Sequence, residues 1–186
     1  MSQGQLSKSR RSLLLVVAAF VIPIVLAKIA LTQHWFNYGV TNQGDLLSGE
    51  RNLSDLGVPD INSQRKWLML VYKPNDCDEL CLNALKTIHN TYVALGKEMP
   101  RVSPVLLTDS DLSADFSAQL PVNKWQVENY PEQAKSLLTP RNILVVDPLN
   151  NVVLSHSIPT SADELPAFGK AILADMKKLL KYSRIG

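Results

Sequence analysis

Cysteine is scarce in this sequence: Cys77 and Cys81 are the only two among 186 residues. Histidine is nearly as rare. His34, His89 and His156 stand apart from one another, so the roughly four closely spaced Cys or His ligands of a structural zinc site are missing. Neither sign of charge dominates. The formal net charge is +2, and outside an N-terminal cluster the lysines and arginines are scattered, which argues against a nucleic-acid footprint. There is no internal repeat or low-complexity tract, and 46% apolar against 19% charged residues excludes a disordered chain. The length leaves room for one ordinary domain and a short additional element.

That element is N-terminal. Leu13 to Ala27 carries no charge, and beyond Lys28 the apolar run resumes with Ile29, Ala30 and Leu31, close to the ~20 residues that cross a bilayer core. We read 1–11 as a basic cytoplasmic tail, 12–31 as a transmembrane anchor, 32–65 as a tether and 66–186 as an extracytoplasmic domain. Lys8, Arg10 and Arg11 precede the span and place the N-terminus in the cytoplasm by the positive-inside rule. Lys28 is long enough to snorkel, and Trp35, Phe36 and Tyr38 fall where an interfacial aromatic belt sits. Val25-Leu26-Ala27 also satisfies a signal-peptidase site, and cleavage there exports the same domain. In either case the cysteines reach a compartment where disulfides form.

Within 32–65, Asn42, Gly44, Gly49, Asn52 and Pro59 interrupt any long helix or strand. Trp67-Leu68-Met69-Leu70-Val71-Tyr72 is a short apolar run typical of a central strand buried on both faces. After the cysteines, Leu82, Leu85, Ile88, Tyr92 and Leu95 recur at helical spacing up to Gly96. Val102 to Leu107 predicts a second strand, and Asn129 to Leu138 a helical region. Asn142–Val146 and Val152–His156 predict a hairpin across Asp147–Asn151. From Ser161 to Tyr182, the stripe Leu165, Phe168, Ile172, Met176 and Leu179 predicts an amphipathic helix, with Ser161 and Glu164 as a capping box. The order predicts an α/β sandwich around a mixed sheet. It resembles a thioredoxin fold, and that resemblance puts Thr139-Pro140 where the fold carries its active-site-facing cis-proline.

Cys77 and Cys81 stand at the start of the first helix of the domain. Residues four apart on a helix share a face, with α-carbons about 6 Å apart, inside the range a disulfide accepts. The same spacing lets two thiolates hold a soft ion such as Cu(I), and the two states exclude each other. A helix N-terminus favours the thiolate, whereas Asp76, Asp78 and Glu79 oppose it and would instead offset a bound cation. As a third copper ligand, His89, about 12 Å up the helix from Cys81, cannot share a metal with the pair, and His34 reads as an ordinary histidine of the membrane interface. His156 ends the second hairpin strand and folds back toward the cysteine end of the sheet, which makes it the candidate. A static structural disulfide, or idle thiols, is the alternative that needs no chemistry.

An N-terminal anchor, the tether Thr41-Asn42-Gln43-Gly44-Asp45-Leu46-Leu47, a thioredoxin-like body and Cys77-Asp78-Glu79-Leu80-Cys81 together resemble bacterial Sco-related cytochrome oxidase assembly proteins. The resemblance implies a membrane-anchored accessory factor of the bacterial inner membrane, its C-terminal domain in the periplasm. It would handle copper, or the redox state of copper-site thiols, through Cys77 and Cys81. It implies a terminal oxidase subunit or another assembly factor as partner. It also implies a distant histidine as third copper ligand, and here that place falls near Thr139. Two other functions fit the same residues. One is a general periplasmic thiol-disulfide oxidoreductase with Cys77, nearer the helix start, as nucleophile. The other is a noncatalytic thioredoxin-like interaction domain.

Overall fold

The computed structural model describes residues 3–32, 42–47 and 51–183. The chain divides into two compact units, Met1–Thr41 and Asn42–Gly186. The described residues of the first form one helix, α1 (Gln3–Thr32), with no charge between Leu13 and Ala27 and with Pro23 accommodated inside it. Its stretch Arg10–Ala30 is long and apolar enough to cross a membrane, about 32 Å at 1.5 Å per residue, and is compatible with a single-pass anchor. His34, Trp35, Phe36 and Tyr38 lie outside the described residues.

The second unit is built on a six-stranded mixed sheet. Its strands are β1 (Asp45–Leu46), β2 (Trp67–Lys73), β3 (Val102–Thr108), β4 (Gln126–Asn129), β5 (Asn142–Val146) and β6 (Val152–Ser157), in the order β1-β6-β5-β2-β3-β4. β2 runs parallel to β3 and β3 to β4, while β5 is antiparallel to β2 and to β6. The apolar run at 67–72 is thus a central strand, and the hairpin predicted at 142–156 is present with a register shift at Val145/Val146. The parallel β2–β3 pair requires a crossover, which α2 (Glu79–Val93) supplies.

Alternation along the strands divides the core into two layers. Trp67, Met69, Val71, Ile143, Val145 and Leu154 face α2 and the C-terminal helix α4 (Leu165–Tyr182), meeting Leu85, Ile88, Phe168, Ile172 and Met176. α2 and α4 approach closely because Gly169 lacks a side chain, since a Cβ there would stand 2.9 Å from Thr87 Cγ2. Leu68, Leu70, Val105, Leu107, Leu144 and Val146 face the other way and are covered by Leu53, Leu56, Val58, Ile61 and Leu138.

That second cover corrects the expected tether at 32–65. From Asn42 the chain belongs to the compact unit: β1 pairs with β6, Asn52 bridges to Asn151, and Pro59–Asn62 forms a 3-10 turn. A sheet apolar on both faces needs both covered, and these residues cover the face that the helices leave open. Three local expectations also change. The helical region at 129–138 is the end of edge strand β4 followed by a 3-10 turn, Glu132–Ser136, which starts after Pro131. A short helix not expected from the sequence, α3 (Ala114–Gln119), follows β3 and is capped by Ser113 Oγ accepting from Phe116 N. The Ser161 side chain makes no cap. Ala162–Glu164 is a 3-10 turn, and α4 begins at Leu165 because Pro166 is suited only to a first helical turn.

Leu53 is fully buried in the second layer. Leu53→Ala is expected to cost about 2–5 kcal/mol of unfolding free energy, read from the urea midpoint, whereas a tether residue would leave that midpoint unchanged.

Candidate functional site

β2 ends at Lys73 and delivers the chain through Pro74-Asn75-Asp76 to Cys77, while Asp78 is the N-cap of α2. Asp78 Oδ1 accepts from Cys81 N at 2.8 Å, so an acidic side chain fixes the backbone of the second cysteine. Cys77 precedes the cap and Cys81 lies in the first turn, their α-carbons 5.3 Å apart and their sulfurs joined in a disulfide. Both are half-buried against the α2 layer of the core.

The loop is held from two sides. Lys73 is buried, its Nζ donates to Pro74 O at 3.0 Å, and it stands 5.1 Å from the centroid of the Phe116 ring. Ser110 Oγ donates to Asn75 Oδ1 at 2.7 Å, and Thr108 Oγ1 donates back to Ser110 O at 3.0 Å. On the opposite face Tyr72 stacks on Tyr130 and donates to Asp109. Burial first, and then the carboxylate, raise the Tyr72 phenol above its ordinary pKa, so it is a brace that stays protonated.

Because β5 is antiparallel to β2, with Val71 opposite Ile143, the segment entering β5 lies at the cysteine end of the sheet. Cys81, Leu80, Pro74, Pro140, Arg141 and Ile158 line a depression of about 240 Å³ there, with Asp76 and Asp78 on its rim. The expected proximity of Thr139-Pro140 to the cysteines therefore holds, and the Thr139–Pro140 bond is trans, as are all peptide bonds among the described residues.

His156 lies opposite Ile143, at the sheet end expected for it, but its side chain is not among those lining the depression. It is buried, with Nε2 3.3 Å from Asp175 Oδ2 yet not aligned for a hydrogen bond. Asp175 is itself buried on α4 and accepts from Gln43 N, at 3.0 and 2.8 Å to its two oxygens, and from Gly44 N at 2.9 Å. Gly44 is required there, since a Cβ would come within 2.6 Å of Ser155 O and 2.9 Å of the imidazole. Burial lowers the His156 pKa, and the Asp175 and Asp45 carboxylates only partly restore it.

His89, half-buried on α2 with its ring beside Trp125, is also lowered by burial and belongs to packing. Among the described residues no group of three or more His, Cys, Asp or Glu side chains is arranged to hold a metal ion. The two sulfurs are joined to each other, and His156, facing Asp175, does not stand with them as the third member of such a group.

Lys73, Ser110, Phe116 and Arg141 escaped the sequence reading. Lys73 had a legible signal, as the fourth member of the one-face series Trp67, Met69, Val71, Lys73. The others come from separate loops and helices that only the sheet brings together.

A strand-loop-helix presenting a disulfide at a helix N-terminus, opposite a proline loop on a mixed sheet, defines a thioredoxin-like protein. The sequence matches the family described as "Transmembrane-like, thioredoxin-like, C-terminal domain" over residues 67–183, and the chain belongs to that family. Among curated proteins nothing matches. Among solved structures, apo Sco1 from Thermus thermophilus is similar with a TM-score of 0.51 at 17% identity, covering 77% of this chain and 99% of that one. The Xanthomonas campestris bacterioferritin comigratory protein gives 0.50 at 10% identity, covering 73% and 97%. A thiol:disulfide interchange protein from Bacteroides sp. gives 0.44 at 12% identity, covering 67% and 80%. At these identities the likeness to the Thermus and Xanthomonas structures shows the fold alone.

Two outcomes follow. Asp78→Ala removes the α2 cap and is expected to cost about 1 kcal/mol in chemical denaturation, with Asp78→Ser restoring most of it. For His156, a folded-state pKa below the ordinary 6.5 means that the unfolded chain binds the proton first. Stability is then unaffected above that value and falls as the pH drops below it. His156→Gln should lose less thermal stability than the parent between about pH 7.5 and 5.5, with His89 supplying the residual slope. Parallel melting-temperature profiles would rule this out.

Proposed function

We propose that this chain is a membrane-anchored, Sco-like accessory factor for cytochrome oxidase assembly that sets the redox state of paired thiols on its target through Cys77 and Cys81. The observation that carries the redox step is the closed Cys77–Cys81 disulfide at the N-terminus of α2, beside an open depression. The assembly role rests on the resemblance in anchor, the segment 41–47, body and cysteine spacing, and the likeness to Thermus Sco1 supports the fold on which it depends.

In the exchange, a target thiolate attacks Cys77 Sγ. A mixed disulfide forms, the Cys77–Cys81 bond breaks, and Cys81 leaves as a thiolate stabilised by the helix N-terminus. A second target thiolate then attacks the target's own sulfur in the mixed disulfide and releases Cys77. The target dithiol is oxidised by two electrons, and the Cys77–Cys81 pair is reduced by the same two. Run backward from the dithiol, the same path reduces a target disulfide and readies its thiols for copper. In this reading the domain is periplasmic and the anchor lies in the inner membrane.

Copper enters this reading as cargo of the target. The second reading, a general thiol-disulfide oxidoreductase, is favoured by the donor set. With His156 facing Asp175, the two sulfurs complete an exchange reaction without a third group.

Cys81→Ser in the full chain should trap a mixed disulfide through Cys77, resolved by non-reducing electrophoresis and mass spectrometry of the membrane fraction. An adduct with a copper-site subunit of a terminal oxidase supports assembly. A spread of unrelated adducts moves the assignment to the general oxidoreductase, and no adduct from either single-cysteine variant sinks both. A Cu(I) competition titration of the reduced protein beside the Cys77→Ser/Cys81→Ser variant separates cargo handling from redox alone.

A further inference from the structure

The far end of α2 from the cysteines carries a second feature, which no step above uses. Ala94, Leu95 and Leu180 form the floor of a groove of about 400 Å³, and Lys97, Lys177 and Lys181 stand around it. Its one carboxylate, Glu98, is paired with Arg101 at 2.9 Å, so the rim is net positive. Val93 and Tyr182 are 48% and 73% exposed, and Lys181 Nζ stands 5.5 Å from the Tyr182 ring centroid. Lysines beside an exposed tyrosine and a valine suit a boundary where one side is apolar and the other anionic and wet.

The same end of α4 receives the N-terminal chain. Lys178 Nζ donates to Asn42 Oδ1 at 3.2 Å, and Asp175, one turn earlier, holds the amides of Gln43 and Gly44. Thr32, the last residue of α1, is ten residues from Asn42. Ten residues span at most about 35 Å, so covalent connection keeps this end of α4 near whatever surface α1 is anchored in, at high effective concentration. A second copy of the chain is a poor occupant, because a two-fold contact would set this lysine rim against itself.

We propose that the groove edged by Lys97, Lys177 and Lys181, with Tyr182 and Val93, docks the domain on the anionic headgroups of the membrane that α1 anchors it to. This rests on the reading of α1 as an anchor. The consequence for the redox site is one of height. α2 runs from the cysteine pair to the groove, and its 15 residues are about 22 Å long. Docking at its C-terminal end lets Cys77 and Cys81 stand at most about that far from the headgroups, toward a partner whose thiols stand clear of the bilayer.

The test uses the full chain in nanodiscs of phosphatidylcholine, alone or mixed with phosphatidylglycerol, each with a spin-labelled headgroup lipid, reading the paramagnetic broadening of the Val93 and Tyr182 signals. Broadening is expected in the anionic discs. It should weaken at least about fivefold in phosphatidylcholine alone, at high ionic strength, and in the Lys97→Gln/Lys177→Gln/Lys181→Gln variant. The variant should keep the parent's melting temperature and the reduction potential of its cysteine pair, because its three changes are remote from both. Equal broadening in the two lipid compositions, or none in either, overturns the docking. So does broadening that grows with the number of chains per disc, which would assign the groove to a second copy. A chain that enters neither disc overturns the anchor reading and the docking together, whereas a lost docking signal with an intact Cys81→Ser mixed disulfide leaves the redox function standing.

Discussion

Everything in the domain depends on a pair of strands, β2 and β5, that are buried on both faces. Met69, Val71, Ile143 and Val145 point to the helical layer, and Leu68, Leu70, Leu144 and Val146 to the other, all within 1% of complete burial. A sheet of this kind is stable only when both sides are covered. The demand for a second cover draws residues 51–65 into the fold, and the antiparallel pairing brings Pro140 to the end where β2 releases Cys77. The geometry around the cysteine pair is thus a by-product of where these two strands stop.

Asp175 plays a comparable organising role at the sheet's edge. A buried carboxylate is costly unless its lone pairs are occupied, and this one accepts from two successive backbone amides of the arriving chain. It thereby fixes where the strap 42–47 joins the sheet, with Gly44 passing against the His156 ring. That role accounts for His156 better than its place in the sequence does. The imidazole is an uncharged wall beneath the strap, and its neighbour is a carboxylate already engaged with the main chain.

The central strand, the helix after the cysteines, the hairpin and α4 were legible, because each carries a period of its own: an unbroken apolar run, a helical stripe or paired short strands. β4 was not, because it lies at an edge and is mostly polar, so its half-buried pattern carries little hydrophobic signal. Residues 51–65 misled for the opposite reason. Leu53, Leu56, Val58 and Ile61 are spaced irregularly among turn-forming residues, and only a finished sheet shows that they share a face. At the site, Cys77, Cys81 and Pro140 were visible as motif and position. The surroundings of His156 were not legible, because strand register places a residue at one end of a sheet without saying which neighbour its side chain meets. Here that neighbour is Asp175, on a helix 19 residues further along the chain.

The electrostatics of the cysteine pair is a contest among fixed groups. The α2 N-terminus favours a thiolate, and Lys73 is the one buried cation other than histidine among the described residues, located at the end of the strand that feeds the loop. Against them stand Asp76, Asp78 and Glu79, all solvent-exposed, so water and salt weaken their repulsion. The favourable terms are built into helix and core, whereas the opposing ones lie in the screened rim. A thiolate at Cys81 gains from the helix N-terminus, whose first amides it shares with the Asp78 carboxylate. Among the described residues no third His, Cys, Asp or Glu side chain stands with the two sulfurs in an arrangement suited to a metal ion. Of the two chemistries open to this spacing, the proposed function uses thiol–disulfide exchange, for which the closed Cys77–Cys81 bridge is the oxidised partner.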